Sequence, residues 1–358
     1  MEINTHNQTS EKGLSSSLNT NKLQHLWLEI TEKCNLSCVH CYADSNPNKP
    51  LTRSMDIEKW LDVMNEARAL QCESIQFIGG EPTVHPGLDL LLEEASKLGF
   101  SSIEVYTNGL SISNRRMLLF KKFNIKIAVS FYSTVAAVHD KITQKSGSYY
   151  KTLDFIDRAV KLGIELRVGI IQIDQSDDDI LAVISLLEQL EVKNFGFDRV
   201  RQVGRGDVSE SHSSQDKCMS ELCGECHKGK SCVTSSGEVF PCIMARKELL
   251  GNVNEISLKK IVEGSALEDF SNRQIDYLKK VRMDSLIDDN PCHPQYGNCD
   301  PTKVNGYSME NPCHPQYGNC KPTEVNGQTD SSNPCHPQYG NCKPTEVNGI
   351  LIVKSNPV

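Results

Sequence analysis

Leu26-Trp27-Leu28-Glu29-Ile30-Thr31 is followed, after Glu32 and Lys33, by Cys34-Asn35-Leu36-Ser37-Cys38-Val39-His40-Cys41-Tyr42. The first six residues read as a strand. The cysteines crowd the loop at its end. Three residues separate the first two cysteines and two separate the last two, so one short loop can set three thiolates around one cubane cluster. Three thiolates fill three iron sites and leave the fourth iron open to a chelating ligand. A zinc loop is the alternative, with His40 as the fourth donor.

Outward from this stretch the chain alternates. Residues 55–70 read as an amphipathic helix with Ile57, Trp60, Leu61, Met64 and Ala67 on one face. Strands are expected at 74–80, 102–107, 125–131, 164–172 and 194–200. Helices are expected at 87–98, 114–123, 149–162 and 178–190, with Gly99 and Gly163 as stops. Successive strand–helix pairs predict an α/β fold, a parallel sheet with helices outside it, and ligands at the carboxyl ends of the strands.

The 358 residues carry 38 Lys and Arg against 46 Asp and Glu, a net charge of −8 that opposes non-specific binding to nucleic acid. No run of about 18 apolar residues is present, so no membrane span is expected. Residues 1–24 are Ser-, Thr- and Asn-rich without an apolar signal core and read as a disordered leader, which predicts a cytoplasmic protein. The 15 cysteines fall into groups: three at 34–41, Cys72 alone, five at 218–242 and six at 292–342. In a reducing compartment such groups point to metal ligands before disulfides. Cys72, at the end of an expected helix, reads as a core thiol. His25, His85 and His212 show no partner pattern.

The loop from Cys34 to Cys41, with Tyr42 after it, resembles the cluster loop of radical S-adenosylmethionine enzymes. Gly79-Gly80-Glu81-Pro82 at the end of the second strand, Thr107-Asn108-Gly109 at the end of the third and Ser130 near the end of the fourth resemble that family's later motifs, as do His139-Asp140 and Gly147-Ser148. The resemblance covers residues 25–205. It implies a partial (β/α)6 TIM-like barrel with a [4Fe-4S] cluster on Cys34, Cys38 and Cys41. S-adenosylmethionine would lie against His40, Tyr42, Gly79, Gly80, Glu81, Pro82, Asn108 and Ser130. Within that set the resemblance implies His40 beside the adenine, Glu81 on the methionine amino group and Ser130 on the ribose. Where related enzymes place an arginine for the methionine carboxylate this chain has Thr143, and Lys141 or Lys145 is the expected substitute.

Residues 206–289 hold Cys218, Cys223, Cys226, Cys232 and Cys242. Ten residues separate Cys226 from Gly237 and four separate Gly237 from Cys242, a spacing similar to the opening of a SPASM or twitch auxiliary-cluster domain. A hairpin turn at Gly237 would bring Cys226 or Cys232 near Cys242, and a helix is expected at 257–273. The resemblance implies one auxiliary [4Fe-4S] cluster; four of the five cysteines on zinc is the alternative. Residues 290–349 are three near-copies of one unit rich in Cys, Pro and Gly, read as added metal ligands, a substrate-like or recruiting tail, or a plain extension, and residues 350–358 end the chain.

The resemblance implies reductive cleavage of S-adenosylmethionine to a 5′-deoxyadenosyl radical that abstracts hydrogen from substrate, with an electron donor such as flavodoxin or ferredoxin. A peptide or protein substrate, for crosslinking or oxidation, is one expectation. A small metabolite or cofactor precursor is a second, and a non-catalytic metal or electron-transfer protein a third. No general acid or base is named by the residues.

Overall fold

In the computed structural model, which describes residues 22–51, 54–207, 219–226 and 228–287, six parallel strands lie side by side in chain order. They are β1 (His25–Thr31), β2 (Ser74–Gly79), β3 (Ser102–Tyr106), β4 (Lys126–Ser130), β5 (Leu166–Gln172) and β6 (Asn194–Arg199). Each neighbouring pair is parallel, from Leu26 against Ile75 to Val168 against Phe195. Helices connect them: α1 (Ile57–Ala69), α2 (Leu88–Lys97), α3 (Asn114–Lys122), α4 (Ala136–Thr143), α5 (Ser148–Lys161) and α6 (Asp177–Gln189).

This is the expected α/β arrangement, an open sheet in the strand order of a partial barrel. α1 buries Trp60, Val63, Met64 and Ala67, the 3.6-residue spacing of one helix face, with Ile57 and Leu61 packed at its margin. They meet Leu26, Leu28, Ile30, Ile75 and Phe77 in one continuous core. Full burial of a side chain such as Phe77 or Phe155 contributes roughly 2–3 kcal/mol. Cys72 is fully buried in that core, as a core thiol should be.

Two features were not expected. α4 occupies the connection between β4 and α5, where no helix was read. The cysteine-rich region also extends the same sheet rather than standing apart. β7 (Lys230–Val233) pairs parallel with β1, Trp27 against Cys232, and β8 (Glu238–Phe240) and β9 (Gly251–Asn252) continue antiparallel. The turn at Ser235 to Gly237 makes the predicted hairpin. The single helix expected near 257–273 is two, α7 (Leu258–Val262) and α8 (Ser265–Ile287), broken at Glu263 and Gly264. The leader up to residue 21, Cys218, His212, the three repeated units and residues 350–358 lie outside the described residues.

Candidate active site

A cleft of about 190 Å³ opens at the carboxyl ends of the strands. Its walls include Cys34, Cys38 and Cys41, together with His40, Tyr42, Gly79, Gly80, Asn108 and Ser130. Segments more than 90 residues apart in sequence therefore converge on one space, as the motifs implied.

Backbone contacts hold the cysteine loop. Ser37 N–H and Val39 N–H donate to Thr143 and Ile142 carbonyls at 3.3 and 3.0 Å, and Cys34 N–H donates to Asn46 at 3.2 Å. A Cβ on Gly79 would stand 2.3 Å from the Thr31 carbonyl oxygen, and one on Gly80 2.3 Å from that of Lys33. These glycines thus let β2 close against the chain entering the loop, a backbone approach that no other residue permits. On the far side Gly204, at φ +59°, would place a Cβ 2.3 Å from the Tyr42 carbonyl oxygen. Between Gly204 and Gly206, Arg205 donates its Nε to the Cys38 carbonyl at 2.9 Å and Nη2 to the Ser45 carbonyl at 2.8 Å. Its Nη1 pairs with Asp44 at 2.7 Å, and its own N–H reaches the Cys41 carbonyl at 2.9 Å. One side chain and its backbone thus bind the loop at four points.

Burial, then the nearby Glu81 carboxylate, pushes the Cys34 thiol well above its ordinary range. Burial and Cys41 push Cys38 up to about 12. Buried sulfurs that resist ionising as a free group are at ease once a cation shares their charge. Among the described residues no three His, Cys, Asp or Glu side chains stand around one metal point. His40 is held neutral by burial, its pKa near 4, and its Nδ1 is buried without a hydrogen-bond partner in the cleft wall. That orphan atom is a place for a polar ligand. The residues present fit a cubane cluster with a chelating cofactor beside it.

Glu81 and Pro82 depart from expectation. Both are buried and neither lines the cleft. The Glu81 carboxylate accepts from Thr83 N–H and Oγ1 at 3.0 and 2.6 Å, from Thr107 Oγ1 at 2.7 Å and from Asn108 N–H at 2.7 Å. It fixes the ends of β2 and β3 to each other from behind the wall. Lys141 and Lys145 are exposed and outside the cleft, whereas Thr143 is in its wall, hydrogen-bonded to the His139 carbonyl and Ser148. Helix geometry explains this, because Thr143 ends α4 on its buried side. Asp140 instead accepts from the Gly147, Ser148 and Tyr149 donors that start α5, at 2.6–2.9 Å.

Several wall residues carried no sequence signal of their own. Tyr106 hydrogen-bonds Ser130 at 2.9 Å, and Tyr132 packs edge-on to His40. Asp198, Arg199, Arg201 and Arg205 come from the end of β6 and the loop after it. Arg201 is committed to Asp198 at 2.9 Å and the Glu221 carbonyl at 3.0 Å. Arg199 is 57% exposed, with Glu221 3.7 Å away.

A smaller cleft beside the first is lined by Cys223, Cys226 and Cys242, and shares Asp198, Arg201, Ile243 and Met244 with it. The Cys226 thiol donates to Cys242 Sγ at 3.1 Å. Its hydrogen bond also holds the Cys223 thiol down near 6, and the bond to Cys242 lowers that group too. Cys232 is fully buried nearby but is not in this wall. Between the two clefts the Arg246 guanidinium pairs with buried Glu29 and lies 5.4 Å from the Tyr42 ring and 5.6 Å from the Phe240 ring.

The sequence matches the Radical SAM superfamily over residues 28–187 and the SPASM iron-sulfur cluster-binding domain over residues 214–293. The chain carries a radical SAM domain followed by a SPASM-type region, in agreement with the parallel sheet and the two cysteine-lined clefts. It is 30% identical over 267 residues to the antilisterial bacteriocin subtilosin biosynthesis protein AlbA of Bacillus subtilis, covering 66% of this chain and 59% of that protein. It is 26% identical over 179 residues to the sporulation killing factor maturation protein SkfB of the same organism, covering 50% and 43%. The chain spans about half the length of these curated relatives. Streptococcus suis SuiB shares the fold at TM-score 0.58, with 15% identity when bound to S-adenosylmethionine and 14% when bound to precursor peptide SuiA. The match covers 70% of this chain and 67–68% of SuiB. Among the described residues no helix is long and apolar enough to cross a membrane.

Proposed function

We propose that this chain modifies a peptide or protein by radical S-adenosylmethionine chemistry, with Cys34, Cys38 and Cys41 holding the [4Fe-4S] cluster. The observation that carries the reading is the convergence of those three sulfurs with His40, Asn108 and Ser130 on one cleft, beside a second cysteine-lined cleft. When bound, the cluster and S-adenosylmethionine supply hydrogen-atom abstraction from substrate. The chain's own residues supply the rest. Gly79 and Gly80 bring β2 against the loop, and His40, Tyr42, Asn108 and Ser130 form the cofactor walls. Glu81 positions Asn108 through its backbone N–H. Arg199 is the cleft cation best placed to meet a carboxylate, in the role first given to Lys141 or Lys145. The auxiliary cluster takes Cys223, Cys226 and Cys242, with Cys218 the fourth candidate and Cys232 set aside as a buried thiol.

A peptide substrate is supported by the names of the relatives, a bacteriocin biosynthesis protein and a maturation protein, and by SuiB's complex with a precursor peptide. The electron comes from a reductant of the flavodoxin or ferredoxin kind. Anaerobic incubation of the reconstituted chain with dithionite, S-adenosylmethionine and candidate substrates tests this. 5′-Deoxyadenosine release coupled to a peptide supports the reading. Release coupled to a small metabolite replaces it, and none from an iron-replete protein ends it.

A further inference from the structure

The three C-terminal units are the feature that neither cleft uses. Asn-Pro-Cys-His-Pro-Gln-Tyr-Gly-Asn-Cys is identical letter for letter from Asn290 to Cys299, from Asn311 to Cys320 and from Asn333 to Cys342. The joints between units share neither length nor sequence: Tyr307-Ser308-Met309-Glu310 and Gln328-Thr329-Asp330-Ser331-Ser332. Order is kept beyond the decapeptide as well: the second and third units are identical over all 17 residues, and the first differs from them only at Asp300 and Lys303.

α8 leads directly into the first unit and is anchored on the second cleft. Phe270 is buried in one cluster with Trp27, Cys226 and Cys242, and Leu278 lies 3.3 Å from the place of a Cβ on Gly224, between Cys223 and Cys226. Ile287 is about 14 Å farther along the helix axis. The stretch from there to Cys313 has a contour length of up to about 90 Å, enough to cross a domain of this size. Tethering of this kind sets an effective concentration on the order of millimolar. The decapeptide contains no Asp, Glu, Lys or Arg. The wall of the first cleft includes Ile171, Val200 and Met244, apolar side chains that suit a neutral segment carrying proline and tyrosine.

We infer that these decapeptides are the substrate of the chain's own cleft, each joined within itself by a bond from a cysteine sulfur to carbon. This rests on the peptide-modifying reading above. The reaction balances without an outside oxidant. A C–H hydrogen leaves on 5′-deoxyadenosine and the thiol proton goes to solvent. The cofactor's sulfur–carbon bond breaks, releasing methionine, and one sulfur–carbon bond forms in the peptide. The electron that starts the cleavage is returned as the new bond forms, so S-adenosylmethionine is the two-electron oxidant.

The test uses the full chain, reconstituted anaerobically and incubated with S-adenosylmethionine and dithionite, then digested, reduced and alkylated for mass spectrometry. The expected result is a loss of two hydrogens from decapeptides that survives reduction, with one thiol in each modified unit no longer alkylated. It is absent without S-adenosylmethionine and in Cys34→Ala. If Cys292, Cys299, Cys313, Cys320, Cys335 and Cys342 all alkylate while a separate added peptide is modified, this inference falls and the peptide-modifying reading stands. If no 5′-deoxyadenosine forms from iron-replete protein, both fall. A readout independent of turnover comes from a photo-crosslinking benzophenone residue at position 199, on the iron-loaded chain without cofactor. Capture of decapeptide fragments supports the inference, and capture only of other segments overturns it.

Discussion

The two cysteine-lined clefts are built by opposite means. The first takes its sulfurs from one loop, and the protein's effort goes into fixing that loop's backbone: Gly79 and Gly80 from β2, Thr143 and Ile142 from α4, Gly204 and Arg205 from the segment after β6. The second takes sulfurs from two segments, and a hairpin brings Cys242 to Cys226. Their charge states differ in the same sense. Burial holds Cys34 and Cys38 in the thiol form, while a donated S–H holds Cys223 and Cys242 toward the thiolate. The first is a single loop fixed along its backbone, and the second is a set of sulfurs gathered from two segments of the chain.

The largest test of that division compares Cys34→Ala with Cys242→Ala. The first takes 5′-deoxyadenosine formation to background, a fall of roughly a thousandfold or more. The second retains at least about a tenth of it while losing one cluster's iron. Equal losses would break the comparison. Next is Arg205→Ala, expected to lower retained iron at the first cleft and S-adenosylmethionine cleavage by about 10–100-fold, with Arg205→Lys giving little rescue because a single ammonium cannot reproduce the fork. Iron and sulfide counts beside thermal melts separate this from general unfolding.

Gly204→Ala sharpens the same point through stability. A Cβ there meets the Tyr42 carbonyl at positive φ, so a loss of about 2–4 kcal/mol is expected. At Gly99, at φ +73° with nothing within 4 Å, alanine costs about 1 kcal/mol, both read by urea unfolding. The smallest effect concerns His25 on β1, next to the second region. Burial, then Lys230 and Arg167, lowers its pKa to about 4 from 6.5. The unfolded state therefore binds the proton first. Stability from this group is present above about pH 6.5 and is lost as pH falls toward 4, by about 1–2 kcal/mol. His25→Gln should flatten the acid limb of the melting curve by that amount, and an unchanged limb would remove the assignment.

The first cleft was legible because its chemistry is contiguous: spacing within a nine-residue stretch and glycines at strand ends announce themselves. Glu81 stands out in the sequence but its bonds to Thr83, Thr107 and Asn108 do not, since sequence does not say which way a side chain turns at the end of a strand. Lys141, on the outer side of α4, and Lys145, in the turn after that helix, are both exposed and do not line the cleft, a placement that needs the helix itself to be seen. Tyr106, Asp198 and Arg199 were hidden by position alone, as ordinary residues whose role comes from standing at carboxyl ends of parallel strands. In the second region the hairpin was readable from Gly237. That β7 would join β1 was not, because parallel pairing between segments some 200 residues apart leaves no local periodicity.

The central claim is that Cys34, Cys38 and Cys41 leave one iron open to S-adenosylmethionine. The most direct measurement is electron paramagnetic resonance of the reduced, reconstituted full chain with and without that compound. The account predicts a cubane signal that changes on its addition in wild type and in Cys242→Ala, and no such response in Cys34→Ala. A reduced protein whose signal ignores S-adenosylmethionine, or a loop that holds zinc in place of iron, would contradict it.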